Sequence, residues 1–499
     1  MEQFNNPGND EDAADINVQT NFLMQVRRQI EGNDPDLVKL EIYPHYYVGR
    51  GNDWERDGKS IGENTRIKEL IISGLEIYPD FDVCNGMMKQ DLEKFFSGVA
   101  HNRSIKKISF CGCELPDGEI FRILAPFFKD NCSFECFHIN GCGIEDEGAD
   151  VLATSLTGNS TLKVLDIFGE ADFTVMGWRA IFSTLQSPNC VLEKLNLSRN
   201  KFEDEVIGSL ADALTNNSSL RSVNLSDDHA ISMNGWGAIF SALQSPVCAV
   251  EKLDLHYNSI NDEVAISLAN DLTSNTALKS LNLMGTGIND ETVIFLANAL
   301  ANNTRLMELD LRSNDDVTVT GWQSFSTVLQ SPTSALETLN LCLNSINDAT
   351  MISLADSLAN NNKLKELLTS SIMSNINSNN CWAAFSRVVC NTSSIMDTYH
   401  SNHTLQRLRE DDYDGELPED LRSLLRMNRE NSRSAAARLK IIKTHFREGF
   451  TVHPFFVDME LKVLPHAIAW MGKHGRTSEV NEHFYGFLRS MPLLFGVDR

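Results

Sequence analysis

No stretch of this 499-residue sequence reaches the roughly 18 uninterrupted apolar residues of a membrane-spanning helix, so no span is expected. The amino terminus, MEQFNNPGNDEDAADINVQTNF, has acids and amides where a secretory leader would carry a basic start and an apolar run. Positive charge is also short: 43 Lys and Arg stand against 68 Asp and Glu, a net charge of −25, which sets nucleic acid aside as the main partner. Cysteines number eleven, an odd count scattered along the chain, and this speaks for reduced thiols in the cytoplasm or nucleus over a disulfide framework. There is no phosphate loop, no HExxH and no GxSxG, so no catalytic group, cofactor or small-molecule substrate is expected.

What the sequence does contain is a regular repeat between Leu192 and Asn344. LEKLNLSRNKFEDE, LRSVNLSDDHAISM, VEKLDLHYNSINDE, LKSLNLMGTGINDE, LMELDLRSNDDVTV and LETLNLCLNSINDA are six copies of one pattern, LxxLxL with a polar end. The first apolar positions Leu162, Leu192, Leu220, Val250, Leu278, Leu306, Leu336 and Leu364 are separated by 30, 28, 30, 28, 28, 30 and 28 residues. Each 30-residue interval holds a Gly-Trp and a Ser-Pro, as at Gly177-Trp178 and Ser187-Pro188, and the 28-residue intervals hold neither. Two repeat types are therefore interleaved, and a fixed period of this size predicts a solenoid.

Within a repeat, the alternation in Leu195-Asn196-Leu197 predicts a short strand. The four-residue spacing of Val264, Leu268 and Leu272 predicts an amphipathic helix with one face inward. Asp204, Asp262, Asp290 and Asp348 are placed to cap these helices at their amino ends. The pairs Asn216-Asn217, Asn302-Asn303 and Asn361-Asn362 follow the helices, where left-handed backbone suits Asn. Asn200, Asn258, Asn314 and Asn344 read as a buried ladder binding neighbouring turns, and Trp178, Trp236 and Trp322 as core. Because helices are wider than strands, about 10–12 Å against about 4.8 Å, the strands should line a concave side.

The LxxLxL strands, the recurrent Asn, the 28-residue length and the helices carrying Leu268-Ala269 with Leu272 and Leu296-Ala297 with Leu300 resemble the ribonuclease-inhibitor subclass of leucine-rich repeats. The resemblance is clearest over residues 162–368 and, with weaker repeats, extends over about 37–408. It implies an α/β horseshoe with parallel strands on the concave face and helices on the convex face, and protein binding in place of catalysis. Three regions are expected: an acidic, mostly disordered segment 1–35 with a short helix near Phe22–Ile30, a repeat array 36–412, and a small helical carboxy-terminal cap 413–499. An insertion is expected at Tyr78–Asn85. One continuous helix is anticipated from Leu417-Pro418 to about Phe446, with further helices beyond it.

The candidate contact surface is the strand face. Ser109, His138, Asp166, Asn196, Asn224, Asp254, Asn282, Asp310 and Asn340 form a polar column whose members are expected to bond one another. Variation beside it, at Ser226, Cys342 and elsewhere, supplies specificity. The chosen patch is Lys252, Asp254, His256, Met284, Glu308, Asp310 and Arg312. A second candidate is the basic helix, with Arg422, Arg426, Arg429 and Arg433 as contacts and Arg438, Lys440, Lys443 and Arg447 alongside. Cys111, Cys113, Cys132, Cys136 and Cys142 with His138 match no compact zinc spacing, so no metal is assigned. The expected function is a monomeric, cytoplasmic, non-catalytic adaptor that binds a protein partner. The alternatives are a Ran-type GTPase-activating protein, disfavoured by an ending, PLLFGVDR, without a long acidic tail, and the recognition arm of a ubiquitin ligase or immune-type receptor.

Overall fold

A computed structural model describes residues 25–43, 51–74, 89–113, 118–130, 133–169, 173–369, 379–409 and 417–445. The insertion expected at Tyr78–Asn85, residues 1–24 and everything after 445 lie outside the described residues. The chain forms two compact units, residues 1–258 and 259–499, so the division falls inside the repeats.

In the first unit eight parallel strands run in chain order: β1 (Lys39–Ile42), β2 (Glu69–Ser73), β3 (Lys107–Cys111), β4 (Cys136–Asn140), β5 (Val164–Phe168), β6 (Lys194–Asn196), β7 (Ser222–Asn224) and β8 (Lys252–Asp254). In the second unit five more follow the same rule: β9 (Ser280–Asn282), β10 (Glu308–Asp310), β11 (Thr338–Asn340), β12 (Glu366–Thr369) and β13 (Arg407–Arg409). A helix follows each strand except the last within its repeat, as Asp262–Ser274 and Asp290–Leu300 do. This is the leucine-rich-repeat fold that the pattern predicts.

The repeated leucines fill the space between strand and helix. Leu195, Leu253, Leu281, Leu309 and Leu339 are buried, as are Val264, Leu268 and Leu272 on the facing side of their helix. Each such side chain stabilises by about 1.5–3 kcal/mol relative to exposure. In the early repeats the same places hold aromatics, with Phe110, Phe121, Phe128 and Phe134 gathered around Phe137 at ring separations of 5.1–6.1 Å. That exchange of leucine for phenylalanine is why the motif fades there without loss of the fold. Trp178, Trp236 and Trp322 are buried, as predicted.

Two asparagine ladders join the repeats. In the first, Asn258 Nδ2 donates to the carbonyls of Leu225 (2.8 Å) and Leu255 (3.0 Å), and Asn314 bonds Leu283 (2.9 Å) and Leu311 (3.0 Å) in the same way. The second ladder replaces the expected left-handed caps. Asn217 Nδ2 reaches back to the carbonyl of Leu185 (2.8 Å), Asn303 to Leu272 (2.6 Å) and Asn361 to Leu329 (2.8 Å), each satisfying the end of the preceding helix. Positive φ occurs instead at the turn after the strand, at Arg199, Asp227, Tyr257, Ser313 and Leu343. Asn64 extends the second ladder to the start of the described chain by donating to the carbonyl of Ile30 (2.9 Å), so the short helix over residues 25–31 is docked on the first repeats.

The helix-start aspartates also act differently from expectation. The side chain that caps the helix Asp262–Ser274 is Asn261, and Asn289 and Asn347 cap the next helices of that type. The aspartates point to the following repeat. Asp146 Oδ1 accepts from the backbone N–H of Thr174 (2.8 Å) and Gly177 (3.1 Å), while its Oδ2 takes the Thr174 hydroxyl. Asp290 treats Thr318 and Gly321 likewise, and Asp204 binds Ser232. A Cβ on Gly177 would lie 2.5 Å from Asp146 Oδ1, and on Gly235 2.7 Å from Asp204 Oδ1. Glycine precedes tryptophan in the 30-residue repeats because a carboxylate from the repeat before occupies that space. Where Cys381 stands in the glycine's place, the matching Asp348 Oδ1 is buried without a hydrogen-bond partner. Burial, with that carboxylate beside it, pushes the Cys381 thiol up to about 12.

Candidate functional site

Short strands joined by rigid ladders leave one file of side chains standing on the strand side of each unit. In the first unit Lys252 is exposed and Asp254 and His256 are half-buried. Asp254 Oδ1 accepts from the His256 backbone N–H (3.1 Å) and lies 2.7 Å from its Nδ1. Tyr257 packs beside the imidazole, 5.3 Å between ring centres, and is 43% exposed. The left-handed turn that carries Tyr257 outward was not visible in the motif.

In the second unit β9 and β10 place Asn282 opposite Asp310 and Ser280 opposite Glu308. Glu308 is exposed, while Met284, Asp310 and Arg312 are half-buried. Arg312 folds back onto its own strand: Nε lies 2.9 Å from Asp310 Oδ2, and Nη2 2.8 Å from the same oxygen. The guanidinium is thereby held beside an acidic neighbour, with two of its nitrogens sharing one carboxylate oxygen in charge-assisted bonds.

The polar column is satisfied differently from prediction. Asn224, Asn282 and Asn340 each accept from the backbone N–H two residues on, at Ser226 (2.9 Å), Met284 (3.0 Å) and Cys342 (3.1 Å). These are local Asx turns that shape the exit from the strand. Bonds along the column occur around Asp166, which binds His138 Nδ1 (2.6 Å) and Asn196 Nδ2 (2.8 Å). The Asp166 hydrogen bond raises His138 to about 9. Cys342 and Ser226, read as part of the variable surface, are buried.

The basic helix is two helices, Glu419–Glu430 and Arg433–His445, separated by extended backbone at Asn431. Ser432 restarts the chain by capping Ala435 (3.3 Å). Arg422, Arg426 and Arg429 share the first helix, whereas Arg433 opens the second and donates to the carbonyl of Asn362 (2.5 Å). Lys440 is no surface residue. It is fully buried and donates to the carbonyls of Val389 (2.8 Å) and Asn402 (3.2 Å), and burial lowers it to about 7. Arg447 lies outside the described residues.

Among the described residues no three His, Cys, Asp or Glu side chains are grouped to hold a metal, and no helix is long and apolar enough to cross a membrane.

The fold and the ladders define a leucine-rich-repeat protein. The Leucine Rich repeat family model matches residues 130–153, 189–211 and 274–297. Over 150 residues the chain is 28% identical to the ribonuclease inhibitor of Sus scrofa, covering 29% of this chain and 32% of that one. It is 25% identical over 193 residues to NACHT, LRR and PYD domains-containing protein 14 of Mus musculus, covering 39% of this chain and 19% of that one. The match to protein 5 of the same name in Bos taurus is 24% over 198 residues, 39% and 17% of the two chains. Among solved structures, the yeast Rad7 and Elc1 complex aligns with a TM-score of 0.36 and 15% identity, over 74% of this chain and 87% of that one. The chain is a leucine-rich-repeat protein of the ribonuclease-inhibitor-like kind, and it spans less than a third of the length of these curated relatives.

Proposed function

We propose that the protein is a non-catalytic scaffold or adaptor that recognises a protein partner through the strand side of its repeats. The observation that carries this reading is the contrast between the two kinds of residue around each strand. Within each unit the ladder residues are buried and bonded internally, whereas Lys252 and His256 in the first unit, and Met284, Glu308 and Arg312 in the second, differ from repeat to repeat and stand on backbone that the ladders tie together. A rigid surface of varied side chains favours association because little ordering is needed on binding. The test is a pull-down with wild-type protein and the double variant Met284→Glu, Arg312→Glu. A specific partner should be retained by the first and lost by the second, and identical captures would refute the strand-side site. Stimulation of GTP hydrolysis by a small GTPase would overturn the non-catalytic reading.

A second reading is the recognition arm of a larger receptor. It is favoured by the matches to NACHT, LRR and PYD domains-containing proteins, which cover 17–19% of those chains. Identification of a nucleotide-binding partner chain, or its absence from the captured complexes, separates this reading from a free-standing adaptor.

A further inference from the structure

We propose that Cys111 is a thiol-modification site, where the cysteine, backed by His138 and Asp166, forms a mixed disulfide with a small disulfide of the glutathione kind. The three residues come from successive strands of the first unit, β3, β4 and β5. The register sets Ser109, His138 and Asp166 side by side, and Cys111 follows Ser109 by two residues and so shares its face. Asp166 Oδ2 lies 2.6 Å from His138 Nδ1, while Asp166 Oδ1 is held by Asn196 Nδ2 (2.8 Å). The Cys111 side chain is hydrogen-bonded to the same imidazole. Sulfur, ring and carboxylate are thus joined in sequence, as a nucleophile, its neighbour and the group that orients that neighbour. The Asp166 carboxylate keeps the ring charged at neutral pH by raising it to about 9.

Among the described residues nine cysteines are free, and six of them are buried. Cys111, Cys136 and Cys190 are half-buried, and their surroundings differ. Burial pushes the Cys136 thiol up. Cys190 meets the neutral donors Asn217 Nδ2 (3.8 Å) and the Ser219 hydroxyl (3.7 Å). Cys111 meets an imidazolium, the kind of neighbour that favours negative charge on sulfur, and the thiolate is the reacting form of cysteine. A second cation nearby, Lys107, is paired with Glu69 (2.7 Å). Beside the site the Ser109 hydroxyl is buried with no hydrogen-bond partner among the described residues, and it supplies a donor for a group attached at Cys111.

This arrangement suits exchange between sulfurs better than acyl transfer. The backbone N–H that follows Cys111, that of Gly112, is spent on the Asn140 carbonyl (2.8 Å) and so does not serve an oxyanion. In the exchange the Cys111 thiol gives its proton to water and its sulfur attacks one sulfur of the disulfide. A new S–S bond forms, the old one breaks, and the departing thiolate takes a proton from water. One thiol and one disulfide enter, and one thiol and one disulfide leave. His138 keeps its proton throughout, beside the negative charge that passes along the three sulfurs.

The experiment treats the reduced full chain with glutathione disulfide at about pH 7.5 and follows the adducts at each cysteine by mass spectrometry. Cys111 is expected to gain the adduct at least tenfold faster than Cys136 and Cys190, and Cys111→Ser to abolish that adduct. His138→Gln should slow Cys111 at least tenfold. Asp166→Asn should slow it about tenfold, since an imidazole at its ordinary 6.5 is only about one-tenth charged at that pH. In both variants the rate at Cys190 should stay as in wild type, which a general loosening of the fold would not allow. Equal rates at the three half-buried cysteines, faster reaction at a buried one, or undiminished reaction of Cys111 in either variant would each overturn the assignment.

Discussion

The bond between Asp146 and the next repeat makes a prediction with a definite sign in a double-mutant cycle. Asp146→Ala removes the acceptor for Thr174 N–H, the Thr174 hydroxyl and Gly177 N–H. Loss of a helix cap costs about 0.5–2 kcal/mol, and three bonds to one carboxylate place this case near the upper end. Gly177→Ala sets a methyl 2.5 Å from the same oxygen, which must turn away and abandon the cap. Strain from such an insertion is about 1–3 kcal/mol, partly offset by the roughly 1 kcal/mol that alanine gains over glycine inside a helix. Each single variant should therefore lose about 1–2 kcal/mol by the same balance. In the double variant the oxygen is absent, and the nearest remaining atom is Ala149 Cβ at 3.1 Å. The second substitution should then be close to neutral, giving a coupling of about 1–2 kcal/mol. Urea titrations followed by circular dichroism on the four proteins measure this through the shift in midpoint at constant slope. Strict additivity of the two single effects would refute the idea that the glycine exists to admit the carboxylate.

Three further outcomes follow from the same structure. Asn314→Ala should cost about 1–3 kcal/mol, because it leaves the N–H of Thr286 without its acceptor and takes one of two donors from each of the carbonyls of Leu283 and Leu311, which keep the Thr286 hydroxyl and Asn344 Nδ2; a midpoint shift no larger than that of a surface Asn→Ala control would contradict the ladder. Asp228, which replaces a ladder asparagine, has one carboxylate oxygen buried without a partner, and burial raises it to about 7. Its contribution is fully present below the ordinary value of 3.8 and is lost as pH rises through 7, so Asp228→Asn should gain in melting temperature over wild type across that window, and a constant difference would refute the assignment. His138, raised from 6.5 to about 9 by Asp166, likewise stabilises fully below pH 6.5 and loses that contribution towards pH 9. Nuclear magnetic resonance titration of His138 should show its midpoint fall in Asp166→Asn, and an unmoved midpoint would exclude Asp166 as the cause.

The strands and the Asn200–Asn344 ladder were legible because their signals lie within a few residues of one another. Leucines at alternate positions define a strand face, and an amide at a constant offset from it has only the strand ends to bond. The Asp146–Gly177 pairing was not legible, since its partners are in different repeats and neither residue alone departs from ordinary helix-start chemistry. The same distance in sequence hid the second ladder, from Asn217 to Leu185. The break at Asn431-Ser432 carries no glycine or proline, so a run of helix-forming residues read as one element. Lys440 was misplaced because lysine is almost never fully buried, and three carbonyl and imidazole partners were needed to hold it there. At the candidate contact surface residue type was legible but exposure was not. Arg407 and Arg409 joined the arginines of the helix only when the last strand was brought beside it.

The carboxylate that reaches into the next repeat imposes a parity rule on the gene. A Gly-Trp repeat needs an aspartate repeat before it, while an aspartate repeat accepts its own kind as a successor, as Asp262 does through Asn289 and Thr292. Of the two successive 28-residue repeats that begin at Val250 and Leu278, one can be lost and the next Gly-Trp repeat still has an aspartate repeat before it, whereas loss of the 28-residue repeat at Leu192, which lies between two Gly-Trp repeats, takes away the Asp204 that binds Ser232. A designer shortening this protein, or a recombination event doing the same, would find an aspartate repeat dispensable there and indispensable between two Gly-Trp repeats.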